Sequence, residues 1–236
     1  MMSAVLQERQ KSILEVVIQE YIKTARPVAS RDVIRRGWRE ASPATIRNEM
    51  HELDERGYLT QPHTSAGRIP TDRGYRFFVD HRKGESGPDT LVRRMVDRVF
   101  SLRDEERFMK ELGKACAHLS GMFVAVSTDD RDGWYRSGLA ELFEEPEFED
   151  FDELRTFAQF VDALDDYRGR FNAMMNNKNM TLFIGEENPW EDLHHYSIAC
   201  TPWRHPKGFE GSITFIGPTR MDYARVMSLM RYLYEY

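Results

Sequence analysis

"SPATIRNEMHELDERGYLTQPHTSAGRIPTDRGYRFF", residues 42–78, decides the fold. Ser42 is a helix N-cap and Pro43 takes the first helical position, where its missing N–H costs nothing. Ile46, Met50 and Leu53 fall at i, i+4 and i+7, which is one buried stripe on a short helix. Gly57 ends it. "YLTQP" then reads as a short strand, "HTSAGR" as a turn and "RIP" as a return strand. Thr71 caps a fourth helix, "TDRGYRFFVDHRK".

Working outward, residues 6–24 repeat apolar side chains at three and four: Leu6, Ile13, Leu14, Val17, Ile18, Tyr21 and Ile22. That spacing predicts a helix, stopped by Pro27. Ser30 is the expected N-cap of a short second helix, "SRDVIRRG", with Gly37 as its stop. Three helices followed by a two-stranded hairpin is the order of a winged helix-turn-helix, expected over residues 1–83. "GESGPD", residues 84–89, is dense in turn formers and reads as a linker.

Residues 90–236 read as a mixed α/β domain. Val92, Met95, Val96 and Val99 mark one helix, and Phe108, Leu112, Cys116 and Leu119 mark another. "MFVAVST", "MTLFIGEE", "YSIACTPW" and "GSITFIG" predict four strands of an antiparallel sheet. A helix carrying Leu154, Phe157, Val161 and Leu164 lies between the first two of them. A last helix follows Thr219, with Thr219 and Asp222 as an expected capping box. "NNKN", residues 176–179, reads as a turn. The fold class is therefore α+β.

The chain's 236 residues carry a net charge of -6, which by itself argues against nucleic acid. The average hides a segregation. Residues 1–83 hold 15 Lys and Arg against 11 Asp and Glu, leaving 18 against 28 in the remainder. A basic head on an acidic body suits phosphate steering. Cys116 and Cys200 form no CxxC pair, so neither a disulfide framework nor a zinc site is expected. No apolar run reaches bilayer length and no signal-peptide pattern appears, which predicts a cytoplasmic protein without a membrane partner.

With Ile46, Met50 and Leu53 inward, the third helix presents Ala44, Arg47, Asn48 and His51 outward and Thr45 at the flank. Small residues allow close approach to a duplex, while Arg pairs bidentately with guanine and Asn with adenine. The Ser42 end suits a phosphate. Any solvated helix face carries Arg and Asn, so this helix alone does not decide. The turn adds His63, Thr64, Ser65 and Arg68, which can meet phosphates or enter a minor groove. Arg31, Arg35 and Arg36 on the second helix are further backbone candidates. Together, in this order, the parts favour double-stranded DNA as partner.

Three stretches carry a resemblance: "VIQEYIKTARPVASRDVIRR", the stretch from Ser42 on to "YRFFVD", and "IGPTRMDYARV". They resemble the heat-inducible transcription repressors of the HrcA family, near-continuously over residues 6–80 and more thinly through "GLAELFEEPEF" and "FIGEENP". The resemblance implies a winged-helix DNA-binding domain followed by a GAF-like domain. It also implies a homodimeric repressor of chaperone genes on an inverted-repeat operator, released on heat stress, with the chaperonin GroEL as modulator. Such a protein is nucleoid-associated. Family members usually carry an inserted dimerisation domain; here "MFVAVST" is followed after only "DDRDG" by "WYRSGLAELF", so this is a short form. The dimer would then use the helix around Val92 or the GAF-like sheet.

Other clusters point elsewhere. His194 and His195 lie near Glu186, Glu187, Glu191 and Asp192, but adjacent residues of a strand face opposite ways, which disfavours a metal site. "FIGEENP" reads as a turn or a pocket gate. Arg220 and Asp222 read as helix-start residues, Cys116 as packing. No nucleophile–base pair, phosphate loop or cofactor motif appears, so no enzyme and no cofactor are expected. Two other readings stay open: a GAF-like small-molecule sensor on the same head, and a winged-helix protein-interaction module.

Overall fold

The computed structural model describes residues 6–38, 41–82, 87–129, 133–167, 171 and 179–236. The chain divides into two compact units, Met1–Lys83 and Gly84–Tyr236. Among the described residues no helix is long and apolar enough to cross a membrane.

In the first unit, α1 (Glu8–Thr24) buries Ile13, Leu14, Val17 and Ile18. It ends before Pro27: Ala25 turns left-handed, φ 51°, and its N–H donates to the Tyr21 carbonyl at 2.8 Å. The second helix, α2 (Ser30–Arg35), starts one residue earlier than the sequence suggested. Ala29 holds the cap position, and the Asp32 carboxylate reaches back to accept its N–H at 2.9 Å, so Ser30 is the first helical residue and no cap. In α3 (Pro43–Glu55) the Ser42 hydroxyl accepts the Thr45 N–H at 3.1 Å, and Ile46, Met50 and Leu53 are buried. Each of those side chains stabilises the unit by about 1.5–3 kcal/mol on leaving water.

Strands β1 (Leu59–Thr60) and β2 (Ile69–Pro70) pair antiparallel. Both are shorter than "YLTQP" and "RIP" suggested. The hairpin gains a third partner instead, because Val28 bridges Arg68, each N–H reaching the other's carbonyl at 2.9 Å. Helix α4 (Asp72–His81) begins where Thr71 accepts the Gly74 N–H at 3.1 Å, and it buries Tyr75, Phe78 and Val79.

The second unit opens with α5 (Thr90–Phe100) and α6 (Glu105–Ser120). Of the expected linker, only 87–89 are described, and Asp89 belongs to α5 as its cap, accepting the Val92 N–H at 2.9 Å. Then come β3 (Phe123–Thr128), β4 (Tyr135–Ser137), α7 (Leu139–Leu142), a 3-10 turn (Pro146–Glu149) and α8 (Phe151–Asp162). Strands β5 (Thr181–Ile184), β6 (Tyr196–Arg204) and β7 (Glu210–Pro218) lead to α9 (Tyr223–Glu235). The sheet has the order β4-β3-β7-β6-β5 and is antiparallel throughout, one strand more than expected. This mixed α/β architecture is consistent with a GAF-like domain. The turn expected at 176–179 lies almost wholly outside the described residues.

Both sheet faces are covered, so β3, β6 and β7 are buried along nearly their whole length, their serines and threonines included. Phe123, Ala125, Tyr196, Ile198, Cys200 and Ile216 face an aromatic core with Phe148, Phe157 and Phe160. The alternate residues face α6 and α9, where Ser197 and Tyr223 share a hydrogen bond of 2.8 Å. Burial pushes the Cys116 thiol far up and the Cys200 thiol up to about 12, so neither is a thiolate near neutral pH and both act as packing groups. The capping box expected at Thr219 is absent: Asp222 itself caps α9, accepting the Arg225 N–H at 3.1 Å, while the Thr219 carbonyl takes the Tyr223 hydroxyl.

"FIGEENP" is a knitted turn. Asn188 is buried, its Nδ2 within 2.8 Å of the Gly185 carbonyl, 3.0 Å of Leu193's and 2.7 Å of Tyr196's. Removing that amide leaves buried acceptors unpaired, so Asn188→Ala is expected to destabilise this unit by about 3 kcal/mol in denaturant unfolding. Asn188→Asp keeps the shape without the N–H groups and should cost at least as much. Two variants of wild-type stability would show that the amide is dispensable.

Candidate nucleic-acid interface

Helix α3 places the expected reading face outward. Ser42, Ala44, Arg47, Asn48 and His51 are exposed and Thr45 is half-buried. Among the described residues neither Arg47 nor Asn48 has a side-chain hydrogen bond or ion pair. The Ser42 and Thr45 hydroxyls are 2.8 Å apart and engage each other. His51 lies 3.8 Å from Glu55.

The hairpin tip is pre-shaped by a residue the sequence reading passed over. Gln61 Nε2 donates to the Thr64 carbonyl at 3.1 Å and to the Ala66 carbonyl at 2.9 Å, and the Ala66 N–H donates to His63 at 2.8 Å. The turn's backbone is thus internally bonded while the side chains of His63, Thr64 and Ser65 stay exposed.

Arg68 departs from the free phosphate contact that the sequence suggests. Its side chain is 12% exposed, its Nε is 2.9 Å from Asp54 Oδ2, and its Nη2 is 3.5 Å from His51 Nδ1. It ties the hairpin to the last turns of α3. The pairing spans 14 residues of sequence, so no local pattern announced it. Arg31 stands exposed and unpaired among the described residues, as its candidacy requires. Arg35 and Arg36 pair with Asp32 and Glu20.

A metal reading of the histidines finds no support in the geometry. His194 Nε2 is 3.0 Å from the Asn188 carbonyl and His195 points to solvent. Among the described residues no group of three or more His, Cys, Asp or Glu is placed to hold a metal ion.

Comparison with known proteins speaks to family. A family model described as the HrcA protein C terminal domain matches residues 88–227, more than half of the chain. The chain belongs to the HrcA family. The heat-inducible transcription repressor HrcA of Acetivibrio thermocellus is 60% identical over 330 positions, covering 97% of this chain and 94% of that one. HrcA of Moorella thermoacetica is 27% identical over 328 positions, covering 96% of this chain and 95% of that one. Because 96% of 236 residues spans 328 positions, about 100 positions of that relative have no counterpart in this HrcA-family chain. A solved structure, that of a hypothetical protein at 2.2 Å resolution, shares the fold: its TM-score is 0.77, with 20% identity, 98% of this chain and 97% of that chain covered.

Proposed function

We propose that this HrcA-family protein is a sequence-specific DNA-binding transcriptional repressor of heat-shock chaperone genes. Its first unit acts as a winged helix, with α3 in the major groove and the 61–67 hairpin as the wing. The observation that carries this reading is the outward face of α3, where Arg47 and Asn48 stand exposed and unpaired among the described residues beside small Ala44. Arg47 has the fork geometry for guanine and Asn48 the amide for adenine. Ser42, Thr45 and the first turn of α3 meet a phosphate, and His63, Thr64 and Ser65 track the adjacent backbone or minor groove.

One winged helix contacts too few base pairs to be selective in a genome, so two heads act together on an inverted repeat. The second unit, GAF-like, supplies the dimer and regulation. Heat releases the operator, and the chaperonin GroEL modulates the repressor in the cytoplasm.

The test is Arg47→Ala, measured against an inverted-repeat duplex selected from a random library and against random duplex at one stated salt concentration. A bidentate base contact contributes about 1–3 kcal/mol, so binding to the selected duplex should fall between about 5-fold and 150-fold while random-duplex binding changes little. Equal loss on both, or no preference for any sequence in the wild type, refutes the readout role.

A further inference from the structure

Charge pairing in the first unit divides its cations into two sets. Most arginines there are spent on carboxylates or carbonyls: Arg68 on Asp54, Arg36 on Glu20, Arg82 on Glu15. Lys23, Arg26, Arg31 and Arg47 are different. All four are exposed, and among the described residues none has an ion pair or side-chain hydrogen bond. Arg47 is the proposed guanine reader, and Arg31 is a backbone candidate already named from the sequence. Lys23 and Arg26 have no such role, and both lie where α1 hands over to α2.

That hand-over is held rigidly. Ala25 is the only non-glycine with positive φ among the described residues, a conformation that costs an alanine about 1 kcal/mol or more. Strain of that kind persists only where its surroundings fix it. On one side the Ala25 N–H closes onto Tyr21, and on the other the Arg26 N–H meets Thr24 Oγ1 at 3.3 Å. Two residues later Val28 is locked to Arg68 of the hairpin. Arg26 precedes the bridged Val28 by two residues and Arg31 follows it by three, in the first turn of α2, so the bridge holds the backbone of both beside the hairpin. A flexible tail of cations would lose backbone as well as side-chain freedom on binding; cations on a fixed backbone lose only the latter.

We propose that Lys23 and Arg26 are backbone-phosphate anchors of the DNA-bound head, acting with Arg31, while Arg68 takes no phosphate and positions the hairpin against α3. The proposal rests on the first unit binding duplex DNA. Arg68 with Asp54 is close to neutral as a pair, and a neutral pair releases no counterion.

The test is the dependence of duplex affinity on salt, measured on the full chain with the selected and the random duplex. Each phosphate neutralised contributes a slope of about -0.9 in log K against log salt. K23Q/R26Q should therefore reduce the slope by about two per head and weaken both duplexes alike, by about tenfold per residue at 0.1 M salt. Its melting temperature should stay near the wild-type value, since among the described residues neither side chain has a hydrogen-bond or ion-pair partner. R68Q/D54N, which removes the pair without changing net charge, should keep the wild-type slope. A wild-type slope in K23Q/R26Q, or a slope reduced by about one in R68Q/D54N, overturns the assignment while leaving the reading of Arg47 intact. A wild type that binds no duplex overturns both.

Discussion

Gly67→Ala is expected to destabilise the first unit by about 3 kcal/mol and to unmask two specific amides. A Cβ at this position would lie 2.4 Å from the carbonyl oxygen of Val28, 2.5 Å from its carbon and 2.8 Å from the carbonyl carbon of Pro27. All three are backbone atoms, so no side chain can swing aside. Gly67 is not among the residues with left-handed backbone, which makes the requirement one of space rather than torsion. Relief means separating the hairpin from the segment before α2, and that breaks both 2.9 Å hydrogen bonds between Val28 and Arg68. Overpacking costs about 1–3 kcal/mol, and each bond lost adds about 1 kcal/mol.

For a unit of this size the loss amounts to a melting shift of about 15 °C. Hydrogen exchange gives the sharper readout: the Val28 and Arg68 amides should lose protection while those of α1 keep more of theirs. On the proposed function, duplex affinity should fall for selected and random sequences together, because the hairpin loses its pose and not its chemistry. Persisting protection of both amides, with melting near the wild-type temperature, would show that the close approach is not structural.

The parts that local chemistry determines were readable in advance. Ser42 and Thr71 cap their helices as expected, and Ile46, Met50 and Leu53 are buried as their spacing requires. Where two capping chemistries competed, the sequence misled. Asp32 accepts the Ala29 N–H, so Ala29 rather than Ser30 holds the cap position, and Asp222 caps α9 in place of Thr219. Strand β4 escaped because three residues at the sheet edge carry no alternation. The outward face of α3 was legible because helical geometry alone aims Arg47 and Asn48. The engagement of Arg68 was not, since it depends on where Asp54 lies after the hairpin folds back. Lys23 and Arg26 were passed over for the complementary reason. Only a full accounting of which carboxylates are occupied shows which cations are left.

Arg220→Ala is expected to cost the second unit about 3 kcal/mol, and most of that cost should come from what remains rather than from what is removed. Arg220 sits between β7 and α9 with its side chain 8% exposed. Its Nε is 2.6 Å from Glu147 Oε1 and its Nη2 is 2.9 Å from Glu147 Oε2, a bidentate pair, while Nη2 also meets Glu145. Burial opposes the guanidinium's charge, but bonds and attraction from the two carboxylates outweigh it and raise its pKa above the ordinary value. Alanine would leave Glu145 and Glu147 facing one another, 26% and 32% exposed, with no cation between them. The entry of the chain into α9 would also lose its tether to the Pro146–Glu149 turn that covers the aromatic core. Neutralising the stranded pair isolates the cause: E145Q/E147Q in the Arg220→Ala background should recover a large share of the loss in denaturant unfolding. A triple variant no more stable than Arg220→Ala would mean that the arginine acts by packing its stem, and an Arg220→Ala loss under about 1 kcal/mol would place the cluster with ordinary surface ion pairs.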